Sequence, residues 1–276
     1  MATMMSHCMD LVLANEAGGY YGWDDHDQLA IFEVGEGGDG ARYVNVDTTS
    51  LDGLKRAHDL GLARSGMADV IVAARFVPAV EQLFDERYRG RMFALLRHPV
   101  ERAVSMYYYR QYATWEPTYE PCLSEMTVLE YARNPRFVEG NWMVRTLTDK
   151  MVGEVTREDL EAAKEILRRK CLVGIVDGSS EGGGRMAESV RRFDAYFGFS
   201  AGPGEKKVCT DNLLHDRGVH GEGRGSNKHS HPHYGPESPE WKALAKAHEL
   251  DMELYQYAEG LFEVQGALLE EMDLST

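Results

Sequence analysis

The chain has 276 residues, of which 43% are apolar, and a formal net charge of −15. This length allows one large domain or two small ones with a sizeable core. No run of residues approaches the ~20 consecutive apolar positions of a membrane-spanning helix. The negative charge argues against a general nucleic-acid-binding protein and against binding to anionic membrane surfaces. An anionic ligand would therefore need a local basic pocket.

The first part of the chain alternates between short apolar strands and helices. Residues Met4–Asn15 predict a mostly buried helix, and Thr49 or Ser50 has the position of a cap before the helix LDGLKRAHDLGL. The other elements predicted here are strands in QLAIFEVGE (28–36), RYVNVDTT (42–49) and ADVIVAA (68–74), a helix in VPAVEQLF (77–84) and a strand in MFALLR (92–97).

The second part of the chain carries clear helix-start signals. Thr127 and Thr156 each precede an acidic residue by three positions, which is the spacing of a capping box. Ser238 precedes a proline in the first helical turn of a long terminal helix. The remaining elements predicted here are a strand in CLVGIVD (171–177), an amphipathic helix in GRMAESVRRFDAYFG (184–198) and a flexible polar loop over about 202–236.

Alternating strands and helices predict an α/β fold with a mainly parallel sheet covered by helices on both faces. In such sheets, ligands bind at the carboxyl ends of the strands, often against helix N-termini. Arg97 lies at such a position, because a predicted strand ends there and a helix begins at Pro99.

The segment from Arg97 to Ser105 combines groups that suit a phosphate. Pro99 fits the first helical turn, and Arg102 and Ser105 fall on a face of the helix different from its apolar one. Guanidinium groups, a hydroxyl and the helix N-terminus together match the oxygens of a phosphate. The alternative is a surface arginine followed by ordinary polar helix residues. The predicted buried face consists of Val100, Ala103, Val104, Tyr107 and Tyr108.

The string LLRHPVERAVSMYYY resembles the 3′-phosphate-binding segment of sulfotransferases, which reads Arg-x-Pro-x-x-Arg-x-x-Ser-x-Tyr after a strand. The wider stretch looks like the carbohydrate sulfotransferases that use 3′-phosphoadenosine 5′-phosphosulfate (PAPS), in the heparan and uronyl 2-O-sulfotransferase branch. The resemblance implies a single P-loop-like, three-layer domain over residues 1–276. It also implies that Arg97 and Ser105 hold the 3′-phosphate of the nucleotide, with Arg102 in the same cofactor site.

Two further segments support the resemblance. NWMVRTLTDK is similar to the family's Asn-x-x-x-Arg-x-Leu segment, which makes Asn141 and Arg145 candidates for binding an anionic sugar or the nucleotide. A surface position on a helix is the alternative for this arginine. Family members also close the nucleotide site with a Ser/Asn/Lys-bearing loop, and Arg224, Ser226 and Lys228 are the matching candidates here.

The resemblance fails at the start of the chain. Family members begin with a strand and a phosphate loop of the Pro-Lys-x-Gly-Thr-Thr type, whose lysine and backbone amides hold the 5′-phosphosulfate. The sequence MATMMSHCMDLVLANE lacks that strand, lysine and glycine. We expect either a truncated sulfotransferase chain or a natural variant without the 5′ half of the cofactor site.

The general base is not identified by the sequence. Sulfuryl transfer to a hydroxyl needs a group that accepts its proton, commonly His or Glu. Family members of this branch carry a histidine shortly before the phosphate-binding strand, but VIVAARFVPAVEQLF has none. Glu81, His58 and Glu33 are the weak candidates, each better explained as a solvated surface residue.

The functional prediction is transfer of a sulfuryl group from PAPS to a carbohydrate hydroxyl, without a metal ion and without a nucleic-acid partner. The alternative is a non-catalytic relic that binds a nucleotide or a sugar. A nucleotide kinase is disfavoured because no Gly-x-x-x-x-Gly-Lys-[Ser/Thr] motif is present. The histidines of HSHPHY (229–234) lack the partners of a metal site. The resemblance implies a Golgi location, with membrane attachment only through an N-terminal anchor that this chain lacks.

Overall fold

The computed structural model describes residues 1–34, 40–177, 184–199, 205–215 and 232–273. The chain is α/β, as predicted, with mostly helices and little sheet. It divides into two compact units, each formed by two segments of the chain. The first unit contains Met1–Met92 and Val190–Ser226, and the second contains Phe93–Ser189 and Asn227–Thr276.

The first unit is built on a small mixed sheet. Its strand order is β2 (Ile31–Val34), β3 (Ala41–Val44), β1 (Leu13–Ala14) and β4 (Val70–Ile71). Strand β1 runs parallel to both β3 and β4, whereas β2 runs antiparallel to β3. The parallel pairing of β1, β3 and β4 agrees with the predicted sheet, and the antiparallel edge strand makes the sheet mixed.

The predicted helix over Met4–Asn15 is wrong after its first turns. Met4–Cys8 forms a π-helical segment, Asp10 adopts a positive φ of 55°, and strand β1 follows. The Asp69 carboxylate accepts a hydrogen bond from the Val12 amide at 2.8 Å, which holds the chain in the sheet. A short apolar run fits a buried strand as well as a buried helix, so the sequence pattern alone did not decide between them.

Helices cover the sheet of the first unit. The Ser50 side chain accepts from the Gly53 amide at the start of α1 (Leu51–Asp59), which confirms the predicted cap. Helix α9 (Glu205–Leu214) and the disulfide between Cys8 and Cys209 belong to this unit, and the helix corrects the prediction of a continuous polar loop after Gly202. The helices here are α1 (Leu51–Asp59), α2 (Leu62–Ser65), α3 (Phe76–Leu83), α9 (Glu205–Leu214) and a 3₁₀ helix (Glu16–Asp25).

The second unit pairs strands β5 (Met92–Arg97) and β6 (Cys171–Val176) in a two-stranded sheet. Both predicted capping boxes, at Thr127 and Thr156, are formed, and Ser238 caps its helix as expected. The helices are α4 (Pro99–Tyr112), α5 (Val128–Arg133), α6 (Trp142–Thr148), α7 (Arg157–Lys170), α8 (Gly184–Phe197, which continues into the first unit), α10 (Pro239–Ala247), α11 (Glu249–Asp273) and a 3₁₀ helix (Pro121–Glu125).

Helix α4 packs as the sequence predicted. The residues of its predicted apolar face enter one core cluster with α5 and α10, and only Tyr108 stays partly accessible. This orientation leaves Ser105 half-buried, off the fully buried face. Within the described residues, no helix is both long and apolar enough to cross a membrane.

Candidate functional site

The junction between β5 and α4 carries an arginine with unused hydrogen-bonding capacity. Arg97 is the last residue of β5, and Pro99 is the first of α4. The Arg97 Nε lies 3.7 Å from the carboxylate of Glu101, in the first turn of α4, and the two side chains form an ion pair. This Nε is buried and finds no hydrogen-bond acceptor among the described residues. A buried donor without an acceptor costs free energy, so a ligand oxygen here would be stabilising.

Arg102 lies in different surroundings from Arg97. Its guanidinium stacks 4.8 Å from the centre of the Trp142 ring, and its Nη2 is 3.9 Å from the Glu139 carboxylate. Burial lowers the pKa of this guanidinium, and Glu139 opposes that effect. The structure therefore engages Arg102 with the start of α6, in a cation–π contact.

A pocket of about 420 Å³ opens beside this junction, within the second unit. His98 and Asp177, which directly follow β5 and β6, both line it. This volume is in the range of small-molecule sites. The other lining residues are Glu101, Arg185, Met252, Glu253, Tyr255, Gln256 and Glu259.

Arg185 organises one wall of the pocket. Its Nη1 donates to the Glu259 carboxylate, its Nη2 lies 3.3 Å from the Tyr255 hydroxyl, and its Nε is 3.5 Å from the Asp177 carboxylate. The same aspartate accepts from the backbone amides of Arg185 and Met186, so it closes the N-terminus of α8 with a carboxylate. All three nitrogen positions of this guanidinium already face protein oxygens.

His98 and Tyr255 form the aromatic part of the pocket. Their rings meet edge to face with centres 5.3 Å apart. Burial lowers the pKa of His98 below its ordinary 6.5, so the imidazole is neutral at pH 7, and its buried Nδ1 has no partner among the described residues. Burial raises the pKa of Tyr255 to about 12. The sequence analysis missed both residues, although His98 directly follows the predicted phosphate-binding arginine.

Asn141 has a structural role in this fold. It adopts a positive φ of 56° before α6, and its Oδ1 accepts from the backbone amides of Leu250 and Asp251 in the first turn of α11. In return, the Asp251 carboxylate accepts from the amides of Met143 and Val144 in the first turn of α6, both at 2.9 Å. The two side chains therefore cap each other's helices.

Arg145 also contacts the protein itself. Its Nε, Nη1 and Nη2 donate to the carbonyl oxygens of Gly140, Lys150 and Gly153 at 3.0, 2.7 and 2.8 Å. These bonds fix the loop on either side of α6. Ligand binding by Asn141 and Arg145 stays a prediction, and the geometry provides a structural explanation for both residues.

The weak base candidates all belong to the first unit. His58 lies on α1 with its Nδ1 2.5 Å from the Gln82 carbonyl oxygen, Glu33 accepts from the Gly40 amide at 3.3 Å, and Glu81 is exposed on α3. Arg97, Arg102 and Ser105 belong to the second unit. The proposed lid residues Arg224, Ser226 and Lys228 lie outside the described residues.

Among the residues that the structure describes, no group of three or more His, Cys, Asp or Glu side chains is arranged to hold a metal ion. Comparison with known proteins gave no match to a family model, to a curated protein or to a solved structure. The case for a function therefore rests on the sequence motif and on the geometry of the second unit.

Proposed function

We propose that this chain binds the 3′-phosphate of PAPS at the β5–α4 junction and transfers the sulfuryl group to a carbohydrate hydroxyl. The single observation that carries the proposal is the Arg97 Nε, a buried donor without an acceptor at the end of a strand and beside a helix N-terminus. The segment around Arg97 resembles the 3′-phosphate site of sulfotransferases. This resemblance indicates that a 3′-phosphate oxygen would accept the hydrogen bond from the Arg97 Nε.

The helix start adds further donors to the arginine. In the first turn of α4, the amides of Val100 and Glu101 have no partner within the helix, and the helix dipole favours an anion there. Ser105 lies about one turn further along and supplies the hydroxyl that the motif places on the phosphate. The proposed 3′-phosphate site requires a strand, an arginine and a helix N-terminus in this order. A P-loop-like, three-layer arrangement of the whole chain belongs to the same proposal.

Glu101 competes with the phosphate for Arg97. Its carboxylate is 3.7 Å from the Arg97 Nε, and both side chains are about a quarter exposed. A phosphate would draw the guanidinium away from this partner at modest cost, because a partly exposed ion pair contributes only ~0–1 kcal/mol. The proposal therefore includes a small rearrangement of Arg97 when nucleotide binds.

The reaction in this proposal is an in-line displacement at sulfur. The acceptor hydroxyl oxygen attacks sulfur and forms the new S–O bond, while the bond between sulfur and the bridging phosphate oxygen breaks. The hydroxyl proton passes to a base, and adenosine 3′,5′-bisphosphate (PAP) leaves. Donors that neutralise the charge on the leaving phosphate lower the barrier. The base is not assigned to a residue.

The disulfide between Cys8 and Cys209 supports an oxidising location for the proposed enzyme. Disulfides persist in the secretory pathway and are rare in the cytosol, where thiols are kept reduced. A Golgi location, proposed from the family resemblance, fits this chemistry.

Label transfer tests the proposed reaction directly. PAPS with radioactive sulfur is incubated with the chain and a panel of oligosaccharides, and label in the sugar and release of PAP are measured. We expect transfer by the unmodified chain and a loss of about tenfold to a hundredfold in Arg97→Ala, since bonds to a charged group contribute ~1.5–3 kcal/mol. Arg133→Ala, at an exposed position on α5, is the matched control and should transfer normally.

A second candidate function is nucleotide binding without transfer. It is favoured by the Glu101 carboxylate beside Arg97 and by the absence of a Pro-Lys-x-Gly-Thr-Thr loop from the sequence. In that case, PAP binds and depends on Arg97, but no label reaches any sugar in the panel. Failure of a well-folded chain both to bind PAP and to transfer label would overturn both candidates.

A further inference from the structure

The pocket at the ends of β5 and β6 offers a ligand mainly hydrogen-bond acceptors. Four of its lining residues carry carboxylates, namely Glu101, Asp177, Glu253 and Glu259, whereas Arg185 is the cation among the lining residues. Carboxylates at neutral pH accept hydrogen bonds and cannot donate them. The ligand groups that satisfy these oxygens must therefore be hydrogen-bond donors, such as hydroxyls or ammonium groups.

The pocket's cation is not available to an anionic ligand. Arg185 faces Glu259, Tyr255 and Asp177 with its three nitrogen positions. A ligand carboxylate or sulfate would have to displace one of these partners and leave that partner uncompensated. The Arg185 side chain is 37% exposed, so breaking one of these pairs costs little by itself. An anion is disfavoured because the carboxylate that it displaces would repel it.

Arginines behind the lining compensate two of the carboxylates. Glu101 pairs with Arg97, and Glu253 pairs with Arg157 on α7. Together with Arg185 they leave a formal excess of one negative charge among the described residues that line the pocket and pair with its lining. The neutral imidazole of His98 does not change this balance at pH 7. A ligand with one positive charge would neutralise this excess.

We infer that this pocket binds an amino sugar whose ammonium group faces the carboxylates and whose ring packs against His98 and Tyr255. Sugar hydroxyls supply the remaining donors, and the two aromatic rings provide an apolar surface at one end of the pocket. This inference deepens the proposed function: as the acceptor, the sugar would be a hexosamine with a free amine, in place of the anionic sugar that the sequence predicts at Asn141 and Arg145. Uronates and sulfated sugars would bind more weakly.

Nucleotide binding would strengthen binding of the amino sugar. When a phosphate takes Arg97, Glu101 loses its partner and the pocket gains one unpaired carboxylate. The two ligands would then favour each other's binding, because such coupling is reciprocal. This second effect depends on the proposed nucleotide site, whereas binding of the sugar alone does not.

The test compares three oligosaccharides of equal length by ligand-observed NMR and calorimetry, without nucleotide: glucosamine, N-acetylglucosamine and galacturonate. We expect the glucosamine oligomer to bind most tightly and the galacturonate oligomer most weakly. Glu259→Gln should weaken glucosamine binding about tenfold, as expected when a charged partner is neutralised. Glu263→Gln, exposed one turn further along α11, is the matched control and should bind normally. A thermal melt of each variant confirms that it is folded.

Equal or tighter binding of galacturonate, or no binding of any of the three sugars to a folded chain, would overturn the inference. Repeating the titration with PAP separates the two proposals. If glucosamine binds but PAP neither binds nor changes its affinity, the sugar pocket stands and the nucleotide site fails. If PAP binds through Arg97 and none of the three sugars binds, the nucleotide site stands and the sugar pocket fails.

Discussion

Asn141 and Asp251 cap each other's helices across 110 residues of sequence. The Asn141 Oδ1 accepts from the first-turn amides of α11, and the Asp251 carboxylate accepts from the first-turn amides of α6. This exchange satisfies amides that would otherwise be buried without partners, because Asp251 is only 1% exposed. The relationship anchors α6 to the terminal helix and explains why an asparagine with a positive φ stands before α6.

Removal of the Asn141 side chain should destabilise the second unit in two separable ways. Asn141→Gly keeps the backbone free to adopt a positive φ and loses only the cap. Two amides of α11 then lack their acceptor, which should lower the free energy of unfolding by about 1–2 kcal/mol. Asn141→Ala should cost ~1–2 kcal/mol more, because alanine resists the left-handed conformation. Urea denaturation followed by circular dichroism measures both. Equal stabilities of the glycine variant and the unmodified chain would contradict the capping role.

Arg145→Lys should also destabilise the chain. A lysine has one nitrogen and cannot reach the three carbonyl oxygens that the guanidinium contacts. We expect a loss of about 1–2 kcal/mol in the free energy of unfolding, because two partly buried carbonyls and one exposed carbonyl lose their donors. The same denaturation assay, with PAP binding measured alongside, checks this. A variant with normal stability and weakened ligand binding would instead support the sequence-based prediction that Arg145 contacts a ligand.

The buried pair His248 and Asp251 should have opposing effects on acid stability. Burial lowers the pKa of His248 from 6.5 to about 4, so as pH falls through this window the unfolded chain gains a proton and the folded state loses stability. Burial raises the pKa of Asp251 from 3.8 to about 6, so the folded state binds the proton first and gains stability as pH falls. Over about pH 6 to 4, the two effects oppose each other.

Single substitutions should separate the effect of His248 on acid stability from that of Asp251. His248→Asn keeps an acceptor near the Asn141 amide that His248 Nδ1 accepts from, and removes the titration. Its stability relative to the unmodified chain should rise as pH falls from 6.5 to 4. Asp251→Asn should show the reverse trend. Urea denaturation at a series of pH values provides the measurement, and parallel pH profiles for both variants and the unmodified chain would contradict the pKa directions.

The Cys8–Cys209 disulfide should be detectable by counting thiols. The structure leaves Cys122 exposed and Cys171 buried as free thiols, so the denatured, unreduced chain should react at two cysteines and the reduced chain at four. Reduction should lower the stability of the first unit by about 2–4 kcal/mol. Cys122→Ser is the control and should leave that stability unchanged. Four reactive thiols without reduction would rule out the cross-link.

Local signals in the sequence predicted much of the fold. The capping boxes at Thr127 and Thr156, the Ser238 cap and the buried face of α4 depend on residues within one or two turns, so spacing alone reveals them. Strand β1 was missed because Val12, Leu13 and Ala14 form a run too short for its periodicity to separate strand from helix.

The candidate site was predicted only where one segment forms it. Arg97 became a candidate because strand, arginine and helix start are contiguous in the chain. The pocket beside it is also lined by Asp177, Arg185 and Glu259, which lie on three other segments. No local pattern links such residues. The partners of Asn141 could not be predicted for the same reason, because the amides that its side chain caps lie on a helix more than a hundred residues away.

The central claim is that Arg97 holds a 3′-phosphate, and titration calorimetry with two nucleotides tests it most directly. PAP and 5′-AMP differ only by that phosphate. We expect PAP to bind about tenfold or more tightly than 5′-AMP, and Arg97→Ala to remove this difference. Glu101→Gln should strengthen PAP binding a few-fold, since the competing carboxylate is gone. Equal affinities for the two nucleotides, or no binding of PAP to a folded chain, would contradict the account.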